Sequence, residues 1–282
     1  MAPIKIVTWN VNGIRSLLTK DKNGVKNKDF ITNNTLSTLI DEHNPDIVCL
    51  QEIRCNASLN FTEILKLQER GYNVIGLNCS KAKSGYSGVL VISKLKHEDV
   101  YGDFPQYPKT HELNQEGRLL TVEFPKFVLV NAYVPNAKPD LARLDYRINQ
   151  WEVAMRVHIG HLKLKYNKPI IACADWNVAP CELDVHNPKT AKGKHGFTLE
   201  ERDAFARLLK DCDLVDAFRT VNPSKVAYTW WSNFAKSRER NLGWRIDTFL
   251  VSTIISKKLK YADAHPEYMG SDHCPVVIEV SI

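Results

Sequence analysis

The fold is decided by the stretch Lys168-Pro169-Ile170-Ile171-Ala172-Cys173-Ala174-Asp175-Trp176-Asn177. Ile170 to Ala174 predicts a strand covered on both faces, because the run is apolar throughout, is opened by Pro169 and is closed by polar residues. Asp175 and Asn177 are two residues apart, and in an extended chain this spacing points both side chains the same way. A carboxylate and an amide are therefore expected to converge at the open end of this strand, where they suit the activation of water beside a phosphate.

Polar residues end three other apolar runs in the same manner. These runs are Ile4 to Asn10, which is followed by Asn12, Asp46 to Glu52, and Phe127 to Tyr133. The order is reversed near the C-terminus, where Asp272 and His273 come just before the apolar run Pro275 to Ile278. Four strands thus deliver polar groups at their ends, and an acid and an imidazole enter from the opposite strand end.

Composition predicts a compact intracellular enzyme. The 282 residues are 44% hydrophobic and contain no evident linker, so we expect one domain spanning residues 1–282. The formal charge of +6 is compatible with a polyanionic partner without requiring one. Seven widely spaced cysteines without a C-x-x-C pair predict neither a disulfide framework nor a zinc ribbon. No apolar run approaches the ~18 residues of a membrane span, so no membrane association is expected. The choice between cytoplasm and nucleus stays open.

Periodicity in the rest of the chain predicts strands that alternate with helices. Helices are expected over Phe30 to Asn44, Phe61 to Arg70, Leu141 to Lys165, and from the Thr198-x-x-Glu201 capping box to Cys212. Strands are expected over Tyr72 to Leu77, Val89 to Ser93 and Leu119 to Phe124, as antiparallel neighbours, and over Tyr228 to Trp231 and Gly243 to Val251. Asp247 lies inside the last apolar run, where an acid needs a partner. This alternation favours an α/β fold of two sheets packed face to face with helices outside.

Eight sequence blocks, in this order, resemble the exonuclease III family of abasic-site (AP) endonucleases, within the endonuclease/exonuclease/phosphatase superfamily. They are Trp9-Asn10-Val11-Asn12-Gly13, Leu50-Gln51-Glu52, Gly85-Tyr86-Ser87-Gly88, Glu116-Gly117-Arg118, Ala132-Tyr133-Val134-Pro135-Asn136, Asp175-Trp176-Asn177, Gly243-Trp244-Arg245-Ile246-Asp247 and Gly270-Ser271-Asp272-His273. The resemblance implies a four-layer αββα sandwich of two mixed sheets. It also implies a metal-dependent, monomeric DNA-repair enzyme that cuts double-stranded DNA on the 5′ side of an abasic sugar, with 3′-5′ exonuclease and 3′-phosphodiesterase activity.

The resemblance also assigns roles to the polar strand ends. A Mg²⁺ ion, for which Mn²⁺ can substitute, would be held by residues among Asn10, Asn12, Glu52, Asp175, Asn177 and Asp272. The predicted catalytic residues are Tyr133, Asp175, Asn177, Asp247 and His273. Asp247 would fix the tautomer of His273. Whether Asp175 or His273 takes the proton from water is open, and an isolated histidine beside a buried acid would more often be a core residue. Asn12 departs from the human-type members, which carry an aspartate there.

Cations, amides and aromatic residues are the predicted DNA contacts. They are Arg15, Asn136, Lys138, Asn187 and Lys194 for the backbone, and Trp230, Phe234 and Trp244 as walls of a pocket for a flipped-out, baseless sugar. Two alternatives remain. One is an inositol-phosphate or sphingolipid phosphodiesterase of the same superfamily. The other is a nucleic-acid binding module without catalysis, against which the presence of every expected acid, amide, tyrosine and histidine argues.

Overall fold

Apolar runs form the strands of two six-stranded sheets in the computed structural model, which describes residues 3–30, 33–55 and 59–282. In chain order the strands are β1 Ile4–Asn10, β2 Ile47–Gln51, β3 Asn73–Asn78, β4 Val89–Ser93, β5 Asp99–Tyr101, β6 Leu119–Glu123, β7 Val128–Tyr133, β8 Ile170–Asp175, β9 Leu214–Asp216, β10 Trp230–Trp231, β11 Gly243–Trp244, β12 Asp247–Ser252, β13 Leu259–Ala264 and β14 Val276–Val280. The helices are α1 Ile14–Leu18, α2 Thr35–His43, α3 Phe61–Ile64, α4 Glu152–Tyr166, α5 Pro188–Ala191, α6 Leu199–Asp211, α7 Ala217–Val221 and α8 Thr253–Ser256.

Strand direction brings the polar strand ends together. One sheet has the order β13-β14-β1-β2-β4-β3 and the other β5-β6-β7-β8-β12-β9. The pairs β1/β2 and β7/β8 are parallel, while β14 and β12 run antiparallel to their neighbours. The C-terminal ends of β1, β2, β7 and β8 and the N-terminal ends of β12 and β14 therefore lie at the same edges of the two sheets. This topology places Asp272 and His273, which precede β14, beside residues that follow the other strands.

Apolar side chains fill three layers between the four layers of backbone. Ile6, Cys49 and Val91 of one sheet pack between the sheets against Leu129 and Phe249 of the other. Helices α1 and α2 cover the outside of the first sheet, and α4 and α6 cover the outside of the second. The predicted αββα sandwich of two mixed sheets is confirmed. None of the helices in the described parts of the chain is both long and apolar enough to cross a membrane.

Local departures from the sequence-based prediction have physical reasons. Residues 119–123 pair with β7 and β5 in the second sheet, so the prediction that they neighbour β3 and β4 was wrong. A short apolar run can be buried in either of the two packed sheets, and its periodicity does not indicate which strand it pairs with. The first predicted helix begins only at Thr35, where Asn34 accepts a hydrogen bond from the Ser37 N–H group, and Ile31, predicted to be part of it, lies outside the described residues. The second ends at Ile64.

Candidate active site

The polar strand ends meet on the floor of a cavity of about 430 Å³ at the edges of both sheets. Its lining includes eleven of the residues predicted from the sequence: Asn12, Glu52, Tyr133, Asn136, Asp175, Asn177, Lys194, Trp230, Trp244, Asp272 and His273. Asn10 and Asp247 lie beneath this lining, fully buried. The structure therefore brings together the predicted metal-binding and catalytic side chains.

The Asn10 side chain joins the two sheets at the floor. Its Nδ2 atom donates to Glu52 Oε2 at 3.0 Å and to Asp175 Oδ2 at 2.8 Å, while its Oδ1 atom accepts from the Asn12 N–H group at 2.9 Å. Because a backbone N–H group can only donate, this last bond fixes which end of the amide is oxygen. Asn10 thus holds two carboxylates that would otherwise repel each other.

Three site residues adopt left-handed backbone conformations. Asn12 has a φ of 43°, Glu52 of 52° and Asn177 of 50°. The strands end before these residues, so their side chains converge through sharp turns and not through the extended two-residue spacing assumed from the sequence. A left-handed conformation is uncommon for a residue such as Glu52, and strained backbone of this kind concentrates at functional sites.

Asp175 is buried and surrounded by hydrogen-bond donors. Oδ1 accepts from the Asn177 N–H group at 2.9 Å, and Oδ2 accepts from Nδ2 of Asn10 and, at 3.2 Å, from Nδ2 of Asn177. Burial and the charge of Asp247 nonetheless raise the pKa of Asp175 to about 7, against the opposing effect of His273. The carboxyl group therefore exchanges a proton near neutral pH, which suits a general base.

Asp247 and Thr229 hold the imidazole of His273. Nδ1 of His273 donates to Asp247 Oδ2 at 2.9 Å, which in turn accepts from the Thr229 hydroxyl at 2.6 Å. This confirms that the acid inside the apolar run has a partner. Burial would lower the pKa of His273, but the charges of Asp247 and Asp175 outweigh it and raise the pKa to about 10. The imidazole is therefore cationic at neutral pH, with Nε2 4.0 Å from Asp175 Oδ2.

Tyr133 presents a neutral phenol to the cavity. Burial and the neighbouring charge of Glu52 raise the pKa of Tyr133 well above its usual value, although Arg118 opposes them. The Arg118 guanidinium lies 4.5 Å from the centre of the Tyr133 ring and donates to the Tyr133 carbonyl oxygen at 3.0 Å. The hydroxyl therefore keeps its proton and can donate a hydrogen bond.

On the opposite side of the floor, Asp272 connects the acids to an aromatic wall. It accepts from Asn12 Nδ2 at 2.8 Å and from Trp230 Nε1 at 3.1 Å. Trp230 meets Trp244 edge to face, with ring centroids 6.2 Å apart. A Cβ atom at Gly196 would lie 3.2 Å from the Trp244 ring, so this glycine lets the loop pack against the wall.

The structure places the remaining predicted contacts away from the cavity lining. Phe234 is 82% exposed in a turn and does not line the cavity, so its prediction as a pocket wall was wrong in placement. The turn that contains Phe234 exposes its ring to solvent. Arg15, Lys138 and Asn187 are also exposed and absent from the lining, and Asn187 caps α5 by accepting from the Thr190 N–H group. Their contacts with DNA stay predictions.

Sequence reasoning missed several residues of the site. Arg54 lines the cavity and forms a salt bridge with Glu52. His186 and His195 also line the cavity. Thr229 precedes the Trp230-Trp231 pair, yet no sequence signal identified its bond to Asp247. These side chains are polar residues in loops, and only the fold brings them to the site.

The donor set fits a hard divalent cation. Asn12 Oδ1 is buried and has no hydrogen-bond partner among the described residues, and Asn12 lines the cavity together with Glu52 and Asp272. Carboxylate and amide oxygens are the ligands that such ions prefer. Asp175, Asp247 and His273 form a second group that could hold a metal ion. Since His273 Nδ1 already donates to Asp247, this second group fits proton transfer better than metal binding.

Comparisons with known proteins agree with this geometry. Residues 7–273 match the sequence model of the Endonuclease/Exonuclease/phosphatase family. The chain is 38% identical to an exodeoxyribonuclease of Bacillus subtilis, over 99% of this chain and 100% of that protein. It is also 38% identical to a DNA-(apurinic or apyrimidinic site) endonuclease of Dictyostelium discoideum, over 99% of this chain and 71% of that one. The crystal structure of an AP endonuclease from Leishmania major superposes with a TM-score of 0.84 at 29% identity, covering 100% of this chain and 88% of that one. The chain belongs to the endonuclease/exonuclease/phosphatase family and, within it, to the exonuclease III family of AP endonucleases.

Proposed function

We propose that this protein hydrolyses the phosphodiester on the 5′ side of an abasic site in double-stranded DNA, with Mg²⁺ as its cofactor and Mn²⁺ as a substitute, and that it also trims 3′ ends. The observation that carries this proposal is the cavity itself, in which acids, amides and a paired imidazole form the floor and two tryptophans form a wall. The names of the relatives favour DNA over an inositol phosphate or a sphingolipid.

The proposed roles follow from the hydrogen bonds. Glu52, Asn12 and Asp272 would hold the cation, with Asn10 orienting Glu52 through its amide nitrogen. When bound, the ion would offset negative charge on the phosphate. Asp175 takes the proton of the attacking water, because both of its carboxylate oxygens act as hydrogen-bond acceptors. The cationic His273 binds a phosphate oxygen, and the Tyr133 phenol donates to the departing oxygen.

The direct test is incubation with duplexes that carry one abasic site or none, in Mg²⁺ or in a chelator. Cleavage of the abasic strand alone, on the 5′ side of the lesion and only with the metal, is the expected result. Equal cleavage of both duplexes would contradict the lesion preference, and cleavage in the chelator would contradict the cofactor.

Replacing Trp244 with alanine should reduce the preference for abasic over intact DNA, measured as the ratio of kcat/KM values, by roughly tenfold. The ring packs on Gly196 and Trp230, and its loss opens the wall that excludes a nucleobase. Trp231→Phe is the matched control, because Trp231 is buried in a separate cluster and does not line the cavity. An unchanged ratio in a folded Trp244→Ala protein would remove this residue from the pocket.

Substituting aspartate for Asn12 should lower the Mg²⁺ concentration for half-maximal cleavage, since a carboxylate binds the cation more strongly than an amide does. The new carboxylate would face Asp272, which now accepts from Asn12 Nδ2 at 2.8 Å, so the metal-free variant should melt at a lower temperature and gain more from Mg²⁺. Metal titrations of cleavage and of Tm measure both effects. Asn27→Asp, in the exposed part of the following loop, is the control, and an unchanged metal requirement in Asn12→Asp would place residue 12 away from the ion.

A further inference from the structure

Arg147 is a fully buried cation behind the floor of the cavity. Its side chain has no exposed surface, and it lies in the π-helical turn Tyr146–Trp151 that leads into α4. Such turns are rare and often occur at functional sites. A buried guanidinium must find acceptors for its donors and a counter-charge, so its contacts show what it holds in place.

The guanidinium ties together the two loops that carry catalytic side chains. Nη1 donates to the Asn177 carbonyl oxygen at 2.7 Å and to that of Pro135 at 3.3 Å, and Nη2 donates to the Trp176 carbonyl oxygen at 2.6 Å. These carbonyl groups follow β8 and β7 directly, where strand pairing no longer satisfies them. The same loops are joined on the cavity side by Asn136 Nδ2, which donates to Asn177 Oδ1 at 2.8 Å.

The counter-charge extends this tie to a third loop. Glu201 Oε1 lies 3.1 Å from Arg147 Nη1, and both side chains are completely buried. The other oxygen of Glu201 accepts from the Gly196 N–H group at 2.7 Å and from the Thr198 hydroxyl at 2.9 Å. Gly196 lines the cavity against Trp244. One ion pair therefore connects the loops of Asn136, Asn177 and Gly196.

We infer that Arg147 is a positioning residue, which sets Asn177, and through it Asp175, at the distance that catalysis requires without touching the substrate. This inference rests on the proposed function. Lysine cannot replace the arginine, because a single nitrogen cannot reach three carbonyl oxygens in the directions of a planar guanidinium. A displacement of about 1 Å at a reacting group can cost roughly a hundredfold in rate.

The test is steady-state cleavage of an abasic duplex by Arg147→Lys, at a temperature well below the Tm of the variant. We expect kcat to fall by roughly a hundredfold while KM changes by less than about threefold, because the DNA-contacting surface is intact. Arg156→Lys is the matched control, since Arg156 lies on α4 with a partly exposed partner, Asp211. Leu162→Ala, a core truncation on the same helix, controls for lost stability. Both should keep the wild-type kcat.

A wild-type kcat in Arg147→Lys, or a loss that Leu162→Ala reproduces at equal loss of Tm, would overturn the inference. If Arg147→Lys does not fold, Glu201→Gln takes its place, because it removes the carboxylate charge that links Arg147 to the Gly196 loop while Glu152, 3.7 Å from Arg147 Nη2, remains as a buried acid. Its kcat should fall by roughly tenfold, and an unchanged kcat would again overturn the inference. Wild-type protein that leaves abasic DNA uncut would instead overturn the proposed function.

Discussion

The substitution Asp175→Asn is expected to lower the single-turnover rate of abasic-site cleavage by roughly a thousandfold, which corresponds to a rise of about 4 kcal/mol in the activation barrier. The fold should remain intact. Asp175 accepts hydrogen bonds at both oxygens, from Asn10 and Asn177. An asparagine would lose the proton acceptor and would also turn an amide nitrogen toward groups that themselves donate. Both losses act on the step that activates water.

The matched control for this substitution is Asp216→Asn. Asp216 is another buried carboxylate, paired with Arg245 at 2.8 Å, and it does not line the cavity. That variant should lose Tm and keep its rate at a temperature where it is folded. An Asp175→Asn protein that cleaves within threefold of the wild-type rate would exclude Asp175 as the base.

The sequence predicted where polar groups leave the strands, and this was enough to find the site. Asn10, Glu52, Tyr133 and Asp175 each come at the end of a mostly apolar run, and such runs end where a buried strand reaches solvent. Parallel pairing of β1 with β2 and of β7 with β8 then brings these ends together. The family motifs supplied the same set of residues, so local pattern and resemblance agreed at the floor of the cavity.

What the sequence could not give depends on contacts between distant segments. Arg147 lies in an amphipathic stretch, where a charged residue is expected to face solvent, and its burial is explained by the carbonyl groups of two loops and the buried carboxylate of Glu201. The left-handed turn at Glu52 has no signal in residue type, because glycine or asparagine marks such turns and Glu52 is neither. The sequence likewise does not indicate which sheet contains residues 119–123, because the strands of both sheets are apolar.

The substitution Glu52→Gln is expected to show whether a cation acts at this site. Glu52 is the carboxylate that Asn10 and Arg54 hold at the end of β2, and its loss removes an anionic oxygen from the donor set. We expect the cleavage rate at moderate Mg²⁺ to fall by roughly a hundredfold or more, because a metal ligand contributes several kcal/mol to stabilising charge in the transition state. DNA affinity should change little.

Metal binding itself is measured without turnover, as the rise in Tm that Mg²⁺ produces in the free protein. This rise should be present in wild type and largely lost in Glu52→Gln, because a ligand stabilises only the state that binds it. Glu63→Gln, a change of the same kind at an N-terminal turn of α3, should leave both the rate and the Tm response unchanged. If Glu52→Gln kept the Tm response and cleaved at near the wild-type rate in low Mg²⁺, the cation would have to be held elsewhere, and the group formed by Asp175, Asp247 and His273 would become its site.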